Sequence, residues 1–121
     1  MQTILVVDDD FAMRRGIALT LRGDGYTVFE AEDSTTALQL LHENSIELAV
    51  VDLFLLGRDG LELAESLLKL SPPTKILMVT AHGEHERAKE AQDQFGENFL
   101  DKSQLDKLLL KKVQRLFESV R

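Results

Sequence analysis

The sequence predicts an α/β fold built on a parallel sheet with helices on both faces. Three apolar runs carry this prediction, residues 4–7, 48–51 and 76–79, and each is followed at once by a polar residue. Short apolar runs of this kind are typical of strands that are buried on both faces of a parallel sheet. Segments with helical spacing of apolar residues lie between them, as in βαβ units. The 121 residues fit one domain, residues 1–121.

The first half of the chain is predicted to form strand, helix, strand, helix and strand. Asp10 follows the first strand and is placed to cap a helix, because its side chain can accept a hydrogen bond from a first-turn amide. A glycine-rich turn ends this helix, and residues 26–31 form the second strand. Asp33 or Ser34 begins the second helix, and the third strand ends at Asp52. The inward helix positions are Met13, Ile17, Ala18, Leu21, Ala37, Leu38 and Leu41.

The third helix follows a loop over residues 57–60 and is predicted to have one apolar face. Ser71-Pro72-Pro73 breaks the chain after it, since proline lacks an amide hydrogen and disfavours helix in the residue before it. The inward positions of this helix are Leu61, Ala64, Leu67 and Leu68.

After the fourth strand, a very polar helix is predicted over about residues 84–94, and Gly96 ends it. Residues 98–100 form a short fifth strand. Ser103 is predicted to cap the last helix, because residues 103–106 resemble a capping box. Strands that alternate with helices through right-handed crossovers predict a flavodoxin-like, doubly wound sheet of five parallel strands in the order 2-1-3-4-5, with five helices.

The composition excludes several classes of function. The formal net charge of −7 argues against direct binding of nucleic acid, whose phosphates require basic patches. The absence of cysteine excludes disulfides and thiolate metal sites. The first strand begins near residue 2, which leaves no room for a signal peptide, and no apolar run approaches the ~20 residues of a membrane span. A cytoplasmic protein without a membrane partner is therefore expected.

Polar residues at three strand ends predict a metal site. In an open parallel sheet, the functional crevice lies at the carboxyl ends of the strands, so Asp8, Asp9, Asp52 and Thr80 should meet at one edge. Three carboxylates that converge repel one another unless a cation lies among them. Oxygen ligands suit a hard divalent ion, and Mg²⁺ is the predicted cofactor.

The ordered set of strand-end residues resembles the receiver domain of two-component response regulators over the whole chain. Each mark alone is a weak signal, but the set in this order on five strand ends is specific. The marks are the acidic pair Asp8 and Asp9, the aspartate Asp52, the hydroxyl residue Thr80 with the small Ala81, the lysine Lys102 and the aromatic residue Phe99 three places before it.

The resemblance implies how a metal is bound. Asp9 and Asp52, with the backbone carbonyl of Phe54, would bind Mg²⁺ directly, and Asp8 would act through a metal-bound water. The ion would offset the charge of the transferring phosphoryl group, whose transition state needs positioning and charge stabilisation.

The resemblance also implies a phosphorylation site. Asp52 would be the phosphoacceptor, attacking the phosphorus of a phosphohistidine to form an acyl phosphate. Lys102 would pair with a phosphoryl oxygen, or with Asp52 when no phosphate is present. The Thr80 hydroxyl and the Ala81 amide would donate to the other oxygens. Such a protein catalyses only its own phosphorylation and dephosphorylation and is otherwise not an enzyme.

A conformational switch and two kinds of partner follow from the same resemblance. Movement of Thr80 toward the phosphoryl group would let Phe99 rotate inward, which biases a two-state element. The face that responds would be the fourth helix, fifth strand and fifth helix. The implied partners are a sensor histidine kinase or phosphotransfer protein as donor, and a downstream partner, an output domain or a second copy at the responding face.

Three positions depart from the usual family pattern. Ser103 stands where proline usually follows the lysine, which leaves the geometry of the Lys102–Ser103 peptide open. Leu56 stands where a proline is common four residues after the acceptor. Phe54 and His82 occupy positions that tune access of water to the acyl phosphate in this family. A bulky Phe54 is expected to shield it, so slow self-dephosphorylation is predicted.

Purely structural explanations exist for three groups of residues. The acids at positions 8–10 could simply cap the first helix, but a cap needs one acid. His82 and His85 could form a transition-metal site, and solvated residues at a helix start are the favoured interpretation. Leu110 and Phe117 widen the apolar stripe of the last helix, which leaves a partner or dimer patch open beside a purely core role.

Three other functions compete with the switch. A pseudo-receiver would have the same fold and act as an unphosphorylated interaction module, which the intact site residues disfavour. A flavin or nucleotide binder would need a glycine- or hydroxyl-rich phosphate loop after the first strand, where this chain is acidic. A hydrolase with an aspartyl nucleophile is disfavoured by the small size of the chain.

Overall fold

The computed structural model describes residues 2–55, 58–70 and 74–118. Its main sheet consists of the five strands β1 (Thr3–Val7), β2 (Thr27–Ala31), β3 (Leu48–Asp52), β4 (Lys75–Thr80) and β5 (Phe99–Asp101). They lie in the order β2-β1-β3-β4-β5, and every neighbouring pair is parallel. The predicted flavodoxin-like sheet and its strand order are confirmed.

Helices cover both faces of this sheet. The helices of the described residues are α1 (Phe11–Gly23), α2 (Ser34–Glu43), α3 (Gly60–Leu68), α4 (Glu86–Phe95) and α5 (Leu105–Glu118). Alternate strand residues face opposite sides, as the period of two requires. Ile4 and Val6 contribute to the core under α1 and α5, whereas Leu5 and Val7 contribute to the core under α2, α3 and α4. None of these helices is long and apolar enough to cross a membrane.

Side-chain caps fix where the first helices begin. The carboxylate of Asp10 accepts from the Met13 amide at 3.2 Å, which confirms the predicted cap of α1. For α2 the cap is Asp33 rather than Ser34, since the Asp33 carboxylate accepts from the Thr36 amide at 2.8 Å. Strand β2 begins at Thr27, one residue later than predicted.

The polar helix α4 begins two residues later than predicted. Its cap is His85, whose Nδ1 atom accepts from the Arg87 amide at 3.0 Å. Gly96 ends the helix, as predicted, with a φ of +56° that favours glycine. Residues Gly96–Asn98 then form a 3₁₀ turn, so β5 covers residues 99–101 and not 98–100.

The predicted role of Ser103 as the cap of the last helix is wrong. The carboxylate of Asp101 accepts from the Ser103 amide at 2.9 Å, and residues Lys102–Gln104 form a 3₁₀ turn that leads into α5. A carboxylate is a stronger acceptor than a hydroxyl, and aspartate readily bonds the amide two residues on. Asp101 therefore takes the position that the capping-box pattern gave to Ser103.

Two short antiparallel strands of two residues each follow β3, where a loop was predicted over residues 57–60. Phe54–Leu55 pairs antiparallel with Arg58–Asp59, and Asp59 then caps α3 by accepting from the Leu61 amide at 2.7 Å. The Gly60 amide donates to the Leu53 carbonyl at 2.8 Å, so this segment folds tightly back on the end of β3. The expectations for Leu56, for Gly57 and for Ser71-Pro72-Pro73 lie outside the described residues.

The added width of the apolar stripe on α5 contributes to the core. Leu110 and Phe117 are half-buried and pack against the cluster under α1 and α5. The Phe117 ring stacks on the Tyr26 ring, with centroids 5.5 Å apart and planes inclined by 20°. These contacts connect the end of α5 to the start of β2.

Glu30 joins α1 to β2 through three arginines. Its carboxylate lies 3.2 Å from Arg14 Nε, 3.0 Å from Arg15 Nε and 3.1 Å from Arg22 Nη1. The Glu30 and Arg14 side chains are only 12% and 13% exposed, so this pair is poorly screened by water. Burial would raise the pKa of Glu30, but the three arginines outweigh it and hold the pKa below the usual value.

Replacement of Gly60 by alanine is expected to destabilise the fold by about 3 kcal/mol or more, because the new Cβ would lie 2.0 Å from the Asp52 carbonyl oxygen. The control is Gly16→Ala in α1, where a Cβ meets no atom within 4 Å. That change should stabilise by about 0.5–1 kcal/mol through helix propensity. Urea unfolding followed by circular dichroism measures both. Equal effects in the two variants would contradict the close approach at residue 60.

The variant Glu30→Gln is expected to lower the free energy of unfolding by roughly 1–3 kcal/mol at pH 7, because the charged acceptor is lost. The carboxylate with its lowered pKa binds protons less readily in the folded state. The advantage of the parent should therefore shrink as the pH falls from the usual pKa of 4.5 through the lowered value, and vanish in stronger acid.

Urea unfolding across this pH range measures the difference, with Glu65→Gln on the exposed side of α3 as a control. A Glu30→Gln deficit that persists unchanged in strong acid would show that charge is not its cause.

Candidate functional site

Three carboxylates meet where β1 and β3 end. Asp8 follows β1, Asp52 is the last residue of β3, and these two strands are neighbours in the sheet. Asp8, Asp9 and Asp52 each offer an oxygen atom, and these atoms all lie within 4.8 Å of one another. Asp8 is 1% exposed and Asp52 is 5% exposed. The predicted convergence of these acids at the carboxyl edge is therefore observed.

Lys102 places its ammonium group between two of these acids. Its Nζ atom lies 3.2 Å from Asp52 Oδ2, as a hydrogen bond, and 3.0 Å from Asp8 Oδ2, as an ion pair without hydrogen-bond alignment. Burial of the Lys102 side chain opposes its charge, but Asp8 and Asp52 outweigh this and raise the pKa of the lysine. Lys102 reaches the acids although serine follows it in place of proline.

The pKa of the Asp52 carboxyl group is well above that of an ordinary aspartate. Burial, together with the nearby charge of Asp8, raises its pKa to about 6, although Lys102 and the Phe54 amide act in the opposite direction. The Phe54 amide donates to Asp52 Oδ1 at 3.3 Å. The ionised form of this carboxyl group is the one that can act as a nucleophile.

The donor set fits a hard divalent cation. Asp8 Oδ2 is buried and has no hydrogen-bond partner among the described residues, and three acids face the single positive charge of Lys102. Carboxylate oxygens without nitrogen or sulfur ligands suit Mg²⁺. The cluster borders an open pocket of about 520 Å³. The pocket is lined by Asp9, Asp10, Asp52, Phe54, Ala81, His82 and Lys102.

Thr80 and Ala81 lie on the adjacent strand end. Thr80 is the last residue of β4, is fully buried, and accepts through Oγ1 from the His82 amide at 3.0 Å. Ala81 lines the pocket beside Asp52. Phe99 begins β5 opposite Met78 and is half-buried against the core under α2, α3 and α4. The predicted switch residues Thr80 and Phe99 therefore lie on neighbouring strands behind the acidic cluster.

Phe54 is held between two histidines at the mouth of the pocket. Its ring lies edge-on to His82 and to His85, with centroids 5.6 Å and 4.9 Å away. Both histidines are exposed, and His85 caps α4, so they are solvated residues at a helix start as expected. The contact between Phe54 and His85 was not predicted, because it joins the segment after β3 to the start of α4, which are distant in the chain.

Two further contacts to Asp8 were not predicted. The Asp10 amide donates to Asp8 Oδ1 at 3.0 Å, and Arg14 Nη1 donates to the Asp8 carbonyl at 3.0 Å. One signal in the sequence could have indicated that Arg14 is held by an acid, although it does not point to the Asp8 carbonyl. Glu30 lies inside the predicted second strand, and the arginines of the first helix are its natural partners.

The sequence matches a known family over most of its length. A family model of the response regulator receiver domain matches residues 4–114. The chemotaxis protein CheY of Pseudomonas aeruginosa is 36% identical, and the match covers 97% of both chains. The transcriptional regulatory protein GlrR of Escherichia coli is 32% identical over 82% of this chain but only 22% of its own length. The chain thus spans nearly all of CheY and about a fifth of GlrR.

Solved structures agree with this match. The response regulator TrrA of Thermotoga maritima, in complex with Mg²⁺-BeF, has a TM-score of 0.84 at 28% identity, covering 96% of this chain and 99% of TrrA. The non-phosphorylated HemR receiver domain of Leptospira biflexa has a TM-score of 0.84 at 27% identity, covering 100% and 98% of the two chains. The chain belongs to the response regulator receiver domain family.

Proposed function

We propose that this protein is a phosphorylation-dependent signalling switch whose acceptor is Asp52. It would receive a phosphoryl group from a sensor histidine kinase or phosphotransfer protein in a Mg²⁺-dependent reaction, and then change the face that it presents to partners. The observation that carries the proposal is the buried contact of Lys102 with Asp8 and Asp52, beside an exposed pocket that a donor can enter. A cytoplasmic location is part of the proposal.

The metal would be held by residues of the acidic cluster. Asp9, Asp52 and the backbone carbonyl of Phe54 would bind Mg²⁺ directly, and Asp8 would act through a bound water. When bound, the ion supplies positive charge that offsets the charge of the transferring phosphoryl group. The Mg²⁺ in the TrrA complex, and the oxygen donors that cluster within 4.8 Å here, support this choice of ion.

Asp52 would then act as the nucleophile. An ionised carboxylate oxygen attacks phosphorus, the phosphorus–nitrogen bond of the phosphohistidine breaks, and an acyl phosphate forms on Asp52. The electron pair of the broken bond stays on the histidine nitrogen of the donor. Lys102 already lies 3.2 Å from Asp52, so its ammonium group needs little movement to pair with a phosphoryl oxygen. The Ala81 amide and the Thr80 hydroxyl would donate to the remaining oxygens.

The Thr80 hydroxyl connects this chemistry to the switch. It now accepts from the His82 amide, and donation to a phosphoryl oxygen would draw the side chain toward Asp52. Phe99, half-buried on the neighbouring strand, would then rotate inward. Two alanines, Ala88 and Ala91, are the buried residues of α4, so this helix is weakly anchored and able to move.

The responding face would consist of α4, β5 and α5. It would bind a downstream partner, an output domain or a second copy of the chain. The match to a fifth of GlrR shows that related domains occur within longer regulatory proteins. The net charge of −7 favours a protein partner over nucleic acid for this domain itself. Its only reactions would be its own phosphorylation and dephosphorylation.

Incubation with Mg²⁺ and acetyl phosphate is expected to add one phosphoryl group to the parent and none to Asp52→Asn, because asparagine cannot form the acyl phosphate. Intact-protein mass spectrometry measures the adduct. Removal of Mg²⁺ with a chelator should abolish it in the parent.

The control is Asp59→Asn. It makes the same chemical change in the segment that follows Asp52, but at a residue outside the acidic cluster. An equal adduct on Asp52→Asn would contradict the assignment of the acceptor. A folded parent that neither binds Mg²⁺ nor accepts phosphate from acetyl phosphate or a kinase would be a pseudo-receiver.

Replacement of Phe54 by asparagine is expected to shorten the lifetime of the phosphorylated protein several-fold. The Phe54 ring lines the pocket and makes T-shaped contacts with His82 and His85, so it restricts the approach of water to the acyl phosphate. The decay of the adduct after removal of donor measures the lifetime. Phe54→Leu, which keeps an apolar side chain, should stay close to the parent, and a longer lifetime in Phe54→Asn would refute the shielding role.

A further inference from the structure

Arg14 connects the Glu30 cluster directly to the candidate site. Its Nε atom lies 3.2 Å from Glu30 Oε1, and its Nη1 atom donates to the Asp8 carbonyl at 3.0 Å. The side chain is 13% exposed, so a group that is normally solvated is buried between the second strand and the acidic loop. None of the steps proposed for phosphoryl transfer uses it.

The contact falls on the peptide unit that joins the two leading acids. The Asp8 carbonyl belongs to the planar Asp8–Asp9 peptide, so a hydrogen bond to its oxygen fixes the plane from which both residues project. The Asp8 amide donates to the Ala31 carbonyl at 3.1 Å, and Asp8 Oδ1 accepts from the Asp10 amide. Arg14 therefore supplies the restraint on the far side of Asp8, toward Asp9.

The guanidinium group is suited to this task because its donors form a rigid, planar fork. When Glu30 holds Nε, the direction of Nη1 is set, and it points to the Asp8 carbonyl. Lysine has one compact charge and could satisfy only one of these two acceptors with defined geometry.

Arg22 provides a comparison within the same cluster. Its Nη1 atom also pairs with Glu30, at 3.1 Å, but its Nη2 atom donates to the Val28 carbonyl of β2 at 2.8 Å. Each arginine thus makes one ion pair with Glu30 and one hydrogen bond to a backbone carbonyl. They differ in three respects. Arg14 is 13% exposed and Arg22 is 40% exposed, the Arg14 guanidinium also lies 5.2 Å from the centre of the Phe11 ring, and only the backbone hydrogen bond of Arg14 is made to a residue of the acidic cluster.

We infer that Arg14 is a positioning residue, which Glu30 orients, and that it fixes the Asp8–Asp9 peptide so that the acidic pair is arranged for a divalent cation. The inference rests on the proposed function, because it assigns Arg14 a role in the Mg²⁺ site of that function. Groups that orient metal ligands through hydrogen bonds commonly change metal affinity when they are removed.

The test compares Mg²⁺ affinity in the parent, Arg14→Gln and Arg22→Gln, from backbone amide NMR shifts as MgCl₂ is added at constant ionic strength. Arg14→Gln is expected to weaken binding about 10-fold, whereas Arg22→Gln should stay close to the parent. Removal of a positive charge near the site would by itself tighten cation binding, so the expected change has the opposite sign to a pure charge effect.

Arg14→Lys separates geometry from charge and provides a milder variant if Arg14→Gln does not fold. It keeps the positive charge but loses the fork, so it should also weaken Mg²⁺ binding. Urea unfolding without Mg²⁺ should show a larger loss of stability in Arg14→Gln than in Arg22→Gln, because Arg14 is less exposed and also contacts the Phe11 ring. The Mg²⁺ affinities are therefore compared under conditions in which both variants are folded.

The possible outcomes distinguish this inference from the proposed function. Parent-like Mg²⁺ affinity in Arg14→Lys, or equal affinity in Arg14→Gln and Arg22→Gln, would overturn the positioning role and leave the proposed function intact. A folded parent that does not bind Mg²⁺ would overturn both. Weakened binding in both Arg14 variants with parent-like binding in Arg22→Gln would support the inference.

Discussion

The site of this protein depends on the electrostatic balance between buried acids and one lysine. Parallel strands end at a common edge, and β1 and β3 therefore bring Asp8 and Asp52 together out of water. Burial, and after it the charge of Asp8, raise the pKa of Asp52 to about 6 in spite of the nearby ammonium group. Lys102 offsets part of this charge from the end of the fifth strand. The remaining negative charge is what makes the edge suited to a divalent cation.

The segment after β3 packs tightly against the backbone of Asp52. Gly60 packs so closely on the Asp52 carbonyl that no side chain fits, and its amide bonds the Leu53 carbonyl. Asp59 caps α3 and also pairs with Arg87 of α4, so the segment after Asp52 is connected to α4. The Phe54 ring between His82 and His85 provides a second connection between the same two regions. A change in charge at Asp52 therefore has short physical routes to α4.

The two sides of the acidic cluster are supported differently. On one side, Lys102 neutralises carboxylates directly and would be engaged by a phosphoryl group. On the other side, Arg14 contacts only the backbone of Asp8, and Glu30 takes up its charge. Charge compensation and backbone orientation are thus separated between two cations, one on the α5 side of the chain and one on α1.

Much of the architecture could be predicted from the sequence, because its signals are local. The apolar runs that end in Asp8, Asp52 and Thr80 predicted buried parallel strands, and the topology of such sheets placed their carboxyl ends together. The ordered set of these residues with Lys102 identified the family before any geometry was known. Helix starts were less predictable, since Ser103 fitted a capping box while Asp101 was a stronger acceptor two residues earlier.

Other features were decided only by tertiary structure, because they join residues that are distant in the chain. The raised pKa of Asp52 requires the burial and the neighbours that the folded sheet supplies. The contacts of Phe54 with His85, of Arg87 with Asp59 and of Arg14 with Glu30 and Asp8 bring different elements together. The sequence determined which groups end the strands, because each strand is a run of adjacent apolar residues that stops at a polar one. Their distances, charges and supporting partners were set by how the helices pack around the sheet.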